Sequence, residues 1–547
     1  MSPLLIVLIG VAVVIGGILA LRLHAFLSLV AGALVIALLT PAATVYRFSL
    51  RTGEVDFARS TNDGAVELKS ESTRPEGATL DLLTQTPAGL KQISTLRITG
   101  TLTKNTQQAA IISGDKNRPL SPTDIIVDPA TEVSALATSR QTIGQRIAEG
   151  FGKTATDIGI LIAMAAVLGQ TLMESGAAER IVLSLRNAVG DSRASLAFLI
   201  SGFVLAALVL SDTTFYLLIP LAQVMRVRSG RDYTLYILSI AAGAVMTHSL
   251  VPPAAGPVFV ATELHVNLAL MILGGAIVGA IAASAGYLYA LWANRRWDIP
   301  LRGAVGVSKE ELERISTRDE STLPPLWLAL TPIVLPVILI AAGAVAGQSG
   351  QSNWIRMLNT LGEKNVALTL AAAIGLLMVW KQRDSLTTNA TSPAVGQALA
   401  SAGVMILIIS AGGAFGYVAR QTDIAAMAKD MLPTSKLALL PIAFLLTAAI
   451  RTAQGSAMVS MITATGIVAP IAVAGALGYH PLYLALAIGC GSKPFPWMND
   501  AGFWIIGRMS GMTESETLKT VSVMMVIMGV VGLLATLMGA WLLPLAS

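Results

Sequence analysis

Two short apolar runs, residues 196–210 and 215–224, flank the polar tetrapeptide Ser211-Asp212-Thr213-Thr214, a composition that no lipid-facing helix carries. The pattern recurs: residues 437–450 and 457–473 flank Arg451-Thr452-Ala453-Gln454-Gly455-Ser456. At about 1.5 Å per residue, arms of this length reach roughly 15–25 Å, short of the ~30 Å hydrocarbon core of a bilayer. Each pair is therefore expected to form a re-entrant hairpin that returns to the side it left. Irregular backbone at that depth is tolerated only inside protein or beside a water-filled cavity. The chain is expected to enclose a polar path for a solute.

The background against which these islands stand is a chain of 547 residues, 54% hydrophobic and 13% charged, with a mean hydropathy of +0.69. That is too apolar for a soluble enzyme of this size and implies an all-α polytopic membrane protein in a lipid bilayer. The net charge of +5 calls for no nucleic-acid partner, because the basic residues fall mainly in loops between apolar runs. A single cysteine, Cys490, excludes an intrachain disulfide and a cysteine-based metal cluster. With one Cys and four His there is no nucleophile–base pair or metal constellation, so no enzyme activity, cofactor or metal is expected.

Ten spans are expected besides the hairpins, at residues 3–20, 25–45, 156–172, 233–262, 268–293, 326–345, 366–380, 398–418, 482–506 and 521–543. The first lacks a basic leader and a clear cleavage site, so the two opening runs read as retained helices rather than a signal peptide. The organisation that follows is two N-terminal helices (1–45), an insertion (46–150), a first repeat half (151–294), a charged connector (295–325), linking helices (326–396) and a second repeat half (397–547). The insertion is polar, with alternating stretches such as Ile93-Ser94-Thr95-Leu96-Arg97-Ile98-Thr99 that read as strands of a small β-rich domain. One set of loops holds Arg22, Arg180, Arg226, Arg295, Arg296, Arg302 and many other basic residues, whereas the facing set, leaving out the long insertion, has only Arg356, Lys364, Arg420, Lys429 and Lys436. The positive-inside rule makes the richer side cytoplasmic and leaves both termini outside the cytoplasm.

The two halves share an order: a span, a hairpin with a polar tip, then a span broken by Gly, Pro and polar residues. Asp212 to His248 and Ser456 to Ser492 are each 36 residues apart. Because the second half starts from the opposite face, an inverted repeat is expected. The breaks are Thr247-His248-Ser249-Leu250-Val251-Pro252-Pro253-Ala254-Ala255-Gly256-Pro257 and Gly491-Ser492-Lys493-Pro494-Phe495-Pro496-Trp497-Met498-Asn499-Asp500. Proline removes backbone donors and glycine permits unusual dihedrals, so both spans should unwind there. Helix N-termini exposed by unwinding attract anions.

At these residues the chain resembles the gluconate permease family, the gluconate:proton symporters of the ion transporter superfamily. The matching stretches are Met173-Glu174-Ser175-Gly176-Ala177-Ala178-Glu179-Arg180, the segment from Thr247 to Pro257, Arg451 to Ser456, and Asn499-Asp500-Ala501-Gly502-Phe503-Trp504, and they cover both halves. The resemblance implies proton-driven uptake of a small organic anion, a sugar acid or related carboxylate, by a homodimer in the inner membrane. The chain departs from the family's usual pattern at Ala254, where a histidine is usual, at Pro496-Trp497, where Ser-His is usual, and at Ser211 to Thr214, all expected pocket positions.

An ionised carboxylate at a helix centre costs about 2.5–3.5 kcal/mol on insertion scales, so Asp212 should face the cavity and hold a proton or a cation, or else cap its hairpin tip. Ser211, Thr213 and Thr214 offer hydroxyls to substrate or to the broken backbone. An unperturbed histidine titrates at about 6.5, which makes His248 the second proton-coupling candidate, with Thr247 and Ser249 beside it. Gln454, Gly455 and Ser456 supply polar groups at the second tip, and Arg451 either neutralises the substrate or braces the hairpin. Ser492 and Asn499 are polar ligands of the second break; Lys493 and Asp500 either pair with each other or meet the substrate. Sodium is the alternative coupling ion, since hydroxyl- and carbonyl-rich tips hold a hard cation. A channel would need a continuous polar stripe, which dead-end hairpins do not provide.

Overall fold

The computed structural model describes residues 1–21, 23–51, 56–60, 65–69, 75–86, 89–103, 106–113, 124–190, 193–207, 211–297, 299–302, 323–346, 353–381, 391–424, 436–474, 477–498 and 500–545. Most of the connector expected at 295–325 falls outside them, as do Asn499 and the side chains of Ser211, Asp212, Thr213 and Gln454. Seven helices among the described residues are long and apolar enough to cross a membrane, eight if one bent pair is a single span. The chain is a multi-pass membrane protein.

The chain opens with α1 (Pro3–Leu19), α2 (Ala25–Leu39) and α3 (Ala42–Arg51). Sequence hydropathy runs on to residue 45, but the helix does not: α2 and α3 meet at a bend of 98°. Pro41 is the cause, because it lacks an N–H and disfavours helix in the residue before it. Its carbonyl instead accepts from Thr44 N at 2.9 Å and starts α3. The bent pair is the eighth span if counted as one, whereas α1 and the first half of the second broken span fall below the length needed to cross alone.

One compact unit comprises Met1–Val13, Val30–Gly150 and Ala414–Asp430. It contains an antiparallel six-stranded sheet of order β1-β2-β5-β4-β3-β6, from β1 (Asp56–Ser60), β2 (Ala65–Lys69), β3 (Thr79–Thr86), β4 (Gly89–Thr103), β5 (Thr106–Ser113) and β6 (Ile125–Val127). Alternate residues point to one face, which explains why Val66, Leu68, Leu80, Leu82, Leu96 and Ile98 form a single core. Leu83, Ile125 and Val127 on the other face pack with Leu50 of α3 and Ala135 of α4 (Pro129–Ser139). Within the same unit Arg51 pairs with Asp423 at 3.1 Å, and Arg146 Nε donates to Gln421 Oε1 at 2.7 Å.

The other unit comprises Val14–Leu29, Phe151–Gly413 and Met431–Ser547. The helix α5 (Ile143–Glu174), whose turns up to Gly150 belong to the first unit and the rest to this one, begins well before the apolar run that announces it. Thr142 and Gln145 form a reciprocal cap there, Thr142 N donating to Gln145 Oε1 at 2.9 Å and Gln145 N to Thr142 Oγ1 at 3.3 Å, so the polar first turns hold as helix. There follow α6 (Ala177–Val189), α7 (Ala194–Leu205), α8 (Ser211–Ser229), α9 (Tyr233–Leu250), α10 (Ala255–Glu263) and α11 (Leu268–Arg296). Next come α12 (Leu326–Ala346), α13 (Asn353–Leu361), α14 (Lys364–Lys381) and α15 (Thr391–Arg420). The last are α16 (Leu439–Gln454), α17 (Ala457–Ala474), α18 (Pro481–Gly491), α19 (Ala501–Ser510) and α20 (Glu514–Leu542), which holds a π-helical turn at Leu518–Ser522.

Both breaks expected from proline and glycine are present, between α9 and α10 and between α18 and α19. The apolar window of Tyr233–Glu263 is 89% buried, against 33% for Leu268–Arg296, so α9 and α10 run through the interior of their unit. Close backbone contact locks α9 there. A Cβ on Gly243 would lie 2.1 Å from the carbonyl oxygen of Leu199 in α7, an approach that only glycine allows. The polar tetrapeptide is not an unwound tip: Ser211 to Thr214 form the first turn of α8. Ser, Thr and Asp favour the N-terminal end of a helix, where backbone donors are unpaired. At the second tip α16 stays helical through Gln454, and only Gly455, at φ +86°, and Ser456 leave the helix.

Candidate functional site

The helix breaks and the α16–α17 turn converge on one cavity of about 240 Å³. From α9 come Val245, His248 and Ser249; from the α16–α17 turn Arg451, Gly455 and Ser456; from the second break Lys493 and Asp500. Three helices begin on it, since Gly256 of α10, Ala457 and Met458 of α17, and Ala501 and Gly502 of α19 all line the wall. The first turns of helices carry N–H groups without intrahelical partners and the positive end of the peptide dipole. Part of that capacity is already used: Asp500 Oδ1 accepts from Phe503 N at 2.9 Å, capping α19.

The fixed charges complete the site. Arg451 forms a buried ion pair with Asp500, their side chains only 7% and 6% exposed, and also donates to the Gly455 carbonyl. Lys493, 2% exposed, does not pair with Asp500. It reaches instead to α9, where Nζ donates to the Val245 carbonyl at 3.0 Å and to Ser249 Oγ. Among the described residues, two basic side chains and one carboxylate thus line the cavity. The buried Nδ1 of His248 has no hydrogen-bond partner among the described residues.

Of the residues singled out from sequence, His248, Ser249, Gly455, Ser456, Lys493 and Asp500 line this cavity, and Arg451 joins them. Thr247 and Ser492 do not. Their hydroxyls donate within their own helices, to Gly243 O at 3.1 Å and to Gly489 O at 2.7 Å, because a broken helix leaves carbonyls that a nearby hydroxyl satisfies. Thr214 is fully buried in the first turn of α8. The expectations for the side chains of Ser211, Asp212, Thr213 and Gln454, and for Asn499 altogether, fall outside the described residues. Phe215, Met405, Met461 and Met525 also line the wall and were missed, since each sits in an apolar run with nothing local to mark it.

A second cavity of about 230 Å³ lies between α5 and α15, lined by Gln170, Ala206, Pro253, Ala254, Gln397 and Ser401 among others. His248 and Met405 line both cavities. Ala254, expected at the pocket of the breaks, therefore faces the second cavity, while Trp497 is 44% exposed and its indole donates to the Thr452 carbonyl at 2.8 Å. Among the described residues, no group of three or more His, Cys, Asp or Glu is placed to hold a metal ion.

Comparison with known proteins places this architecture. Residues 130–542 match the family described as GntP family permease. A gluconate permease of Zymomonas mobilis is 31% identical over 401 residues, covering 71% of this chain and 85% of that protein. The Gnt-II system L-idonate transporter of Escherichia coli is 28% identical over 400 residues, covering 73% of this chain and 89% of that protein. Among solved structures, the YdaH transporter of Alcanivorax borkumensis shares the fold, with a TM-score of 0.52 at 15% identity, over 79% of this chain and 94% of that one. The chain, a membrane permease by its spans and by its relatives, belongs to the GntP permease family.

Proposed function

We propose that this protein is a secondary active transporter that carries a small sugar or hydroxy acid, gluconate or a close relative, together with a proton. The observation that carries the reading is the cavity at the starts of α10, α17 and α19, which among the described residues is lined by two basic side chains, Lys493 and Arg451, and one carboxylate, Asp500. Such a site favours a mono-anion, whose carboxylate would meet both cations and free backbone donors. Relatives named for gluconate and L-idonate support the same class of substrate.

In this reading α5 to α11 and α15 to α20 are the two halves of an inverted repeat. Each holds a long helix, two short apolar helices, a broken helix and a long helix, the first half carrying α6 in addition after its long helix, and the 36-residue offset between tip and break recurs. The short pairs α7–α8 and α16–α17 act as the re-entrant hairpins, and the site sits where both halves meet, as in transporters that alternate access around a fixed site. The domain boundaries read from the sequence, an inner-membrane location with both termini outside the cytoplasm, and a homodimer belong to the same proposal.

Uptake of labelled gluconate into proteoliposomes tests it. The expected outcome is saturable accumulation above equilibrium that collapses with a protonophore and persists without sodium. Accumulation that needs sodium and survives loss of the proton gradient would replace the proton by sodium. Equilibration without accumulation would sink active transport and favour a channel.

A further inference from the structure

The environment of Lys493 suits an amine better than a permanent cation. Its nitrogen is bonded to two neutral acceptors, the Val245 carbonyl and Ser249 Oγ. A neutral amine has two N–H donors, which match these acceptors, whereas an ammonium has three. The carboxylate of the cavity is committed elsewhere, to the guanidinium of Arg451 and to the cap of α19.

The groups facing Lys493 are Arg451 from α16, Asp500 from the second break, His248 from α9, and the buried thiol of Cys490 at the end of α18. Side chains of Asp212 and its neighbours in α8 are outside the described residues. Among the described residues the other charges at the cavity are Arg451 at +1 and Asp500 at −1, which sum to zero, so a protonated Lys493 has no counter-ion of its own among them. Burying an unpaired charge is costly, and the cost is removed either by losing the proton or by gaining an anion.

We propose that Lys493 carries the coupling proton, taking it up when the anionic substrate binds and releasing it when the substrate leaves. This rests on the anion site proposed above and identifies how that site is coupled. In the binding step the amine lone pair of Lys493 forms a bond to a proton delivered from water on the open side, and the substrate carboxylate stays ionised. One proton and one mono-anion then enter the cavity together, which restores its neutrality. By linkage, protonation tightens anion binding by the same factor by which the anion favours protonation.

Calorimetry of gluconate and L-idonate binding to the purified full-length protein, repeated in buffers of different ionisation enthalpy, reads the proton directly. The expected result is close to one proton taken up per anion at alkaline pH, with affinity falling about tenfold per pH unit there. Lys493→Arg, whose guanidinium stays protonated, is expected to bind without proton uptake and with affinity independent of pH. Should that variant fail to fold, Lys493→Met, which removes the titrating group, is expected to show no proton uptake with whatever anion it still binds or to lose binding. Proton uptake that persists in either variant, or wild-type binding with no uptake, overturns this assignment and leaves the anion site standing. Failure of both anions to bind at any pH overturns the site and the assignment together.

Discussion

At the scale of single residues, the Arg451–Asp500 pair is the strongest electrostatic bond of the site, and its members come from elements 49 positions apart in sequence. Removing one partner strands the other as a buried charge, at a cost of about 3–5 kcal/mol. Arg451→Gln is therefore expected to lower the thermal unfolding temperature in detergent sharply. Asp500→Asn should do the same despite keeping a good helix cap, and the double variant should be less damaged than the two losses added together. Additive losses would show that the pair is not coupled. Sequence alone offered Lys493 as the partner of Asp500, because the two are neighbours in one break. The actual partner could not be read there, since the pairing depends on how α16 packs beside the start of α19. What sequence did supply was the residue types: six of the positions it marked meet at one cavity because Pro, Gly and polar groups in an apolar span announce an unwound helix whatever the tertiary packing.

Between helices, the informative quantities are close approaches and caps. Gly243→Ala would drive a methyl group into the Leu199 carbonyl, backbone against backbone, so neither side can yield without moving α7 or α9. A loss of about 1–3 kcal/mol is expected, read as lower thermal stability, while the folded fraction keeps its affinity for gluconate. Lost affinity at full stability would place Gly243 in the site itself. The start of α18 carries a pH-dependent cap: His480 Nδ1 accepts from Leu482 N at 3.1 Å, and burial holds the His480 pKa below its usual value. A base with a depressed folded pKa contributes stability that is present above the unfolded value of about 6.5 and disappears as pH falls through the folded value. Wild-type protein should lose stability across that acidic window, and His480→Asn, which caps without titrating, should not. An identical acid profile for both would remove His480 as the cause. Helix ends were the least legible elements in the sequence. The run through residue 45 hides the end of α2 at Leu39, and the polar start of α5 gives no hydropathy signal, because a proline and a cap decide these boundaries rather than the apolar pattern.

For the molecule as a whole, the sheet between α3 and α4 stands outside the stretch that matches the family, which begins at residue 130. Its strands were legible where apolar and polar residues alternate, as in β4, whereas strand order was not, as pairing between β2 and β5 is set by long-range contact. Since α3 and α4 pack together with the sheet, replacing residues 56–127 by a short linker is expected to leave gluconate uptake in proteoliposomes intact. Loss of uptake with normal folding would give the sheet a direct part in transport. The burial of α9 and α10 has a different reach. The helix that carries His248 and Ser249 is screened by its neighbours, so a thinner or stiffer bilayer is expected to act first on less buried spans such as α11 and to be felt at the proposed anion chamber only second-hand.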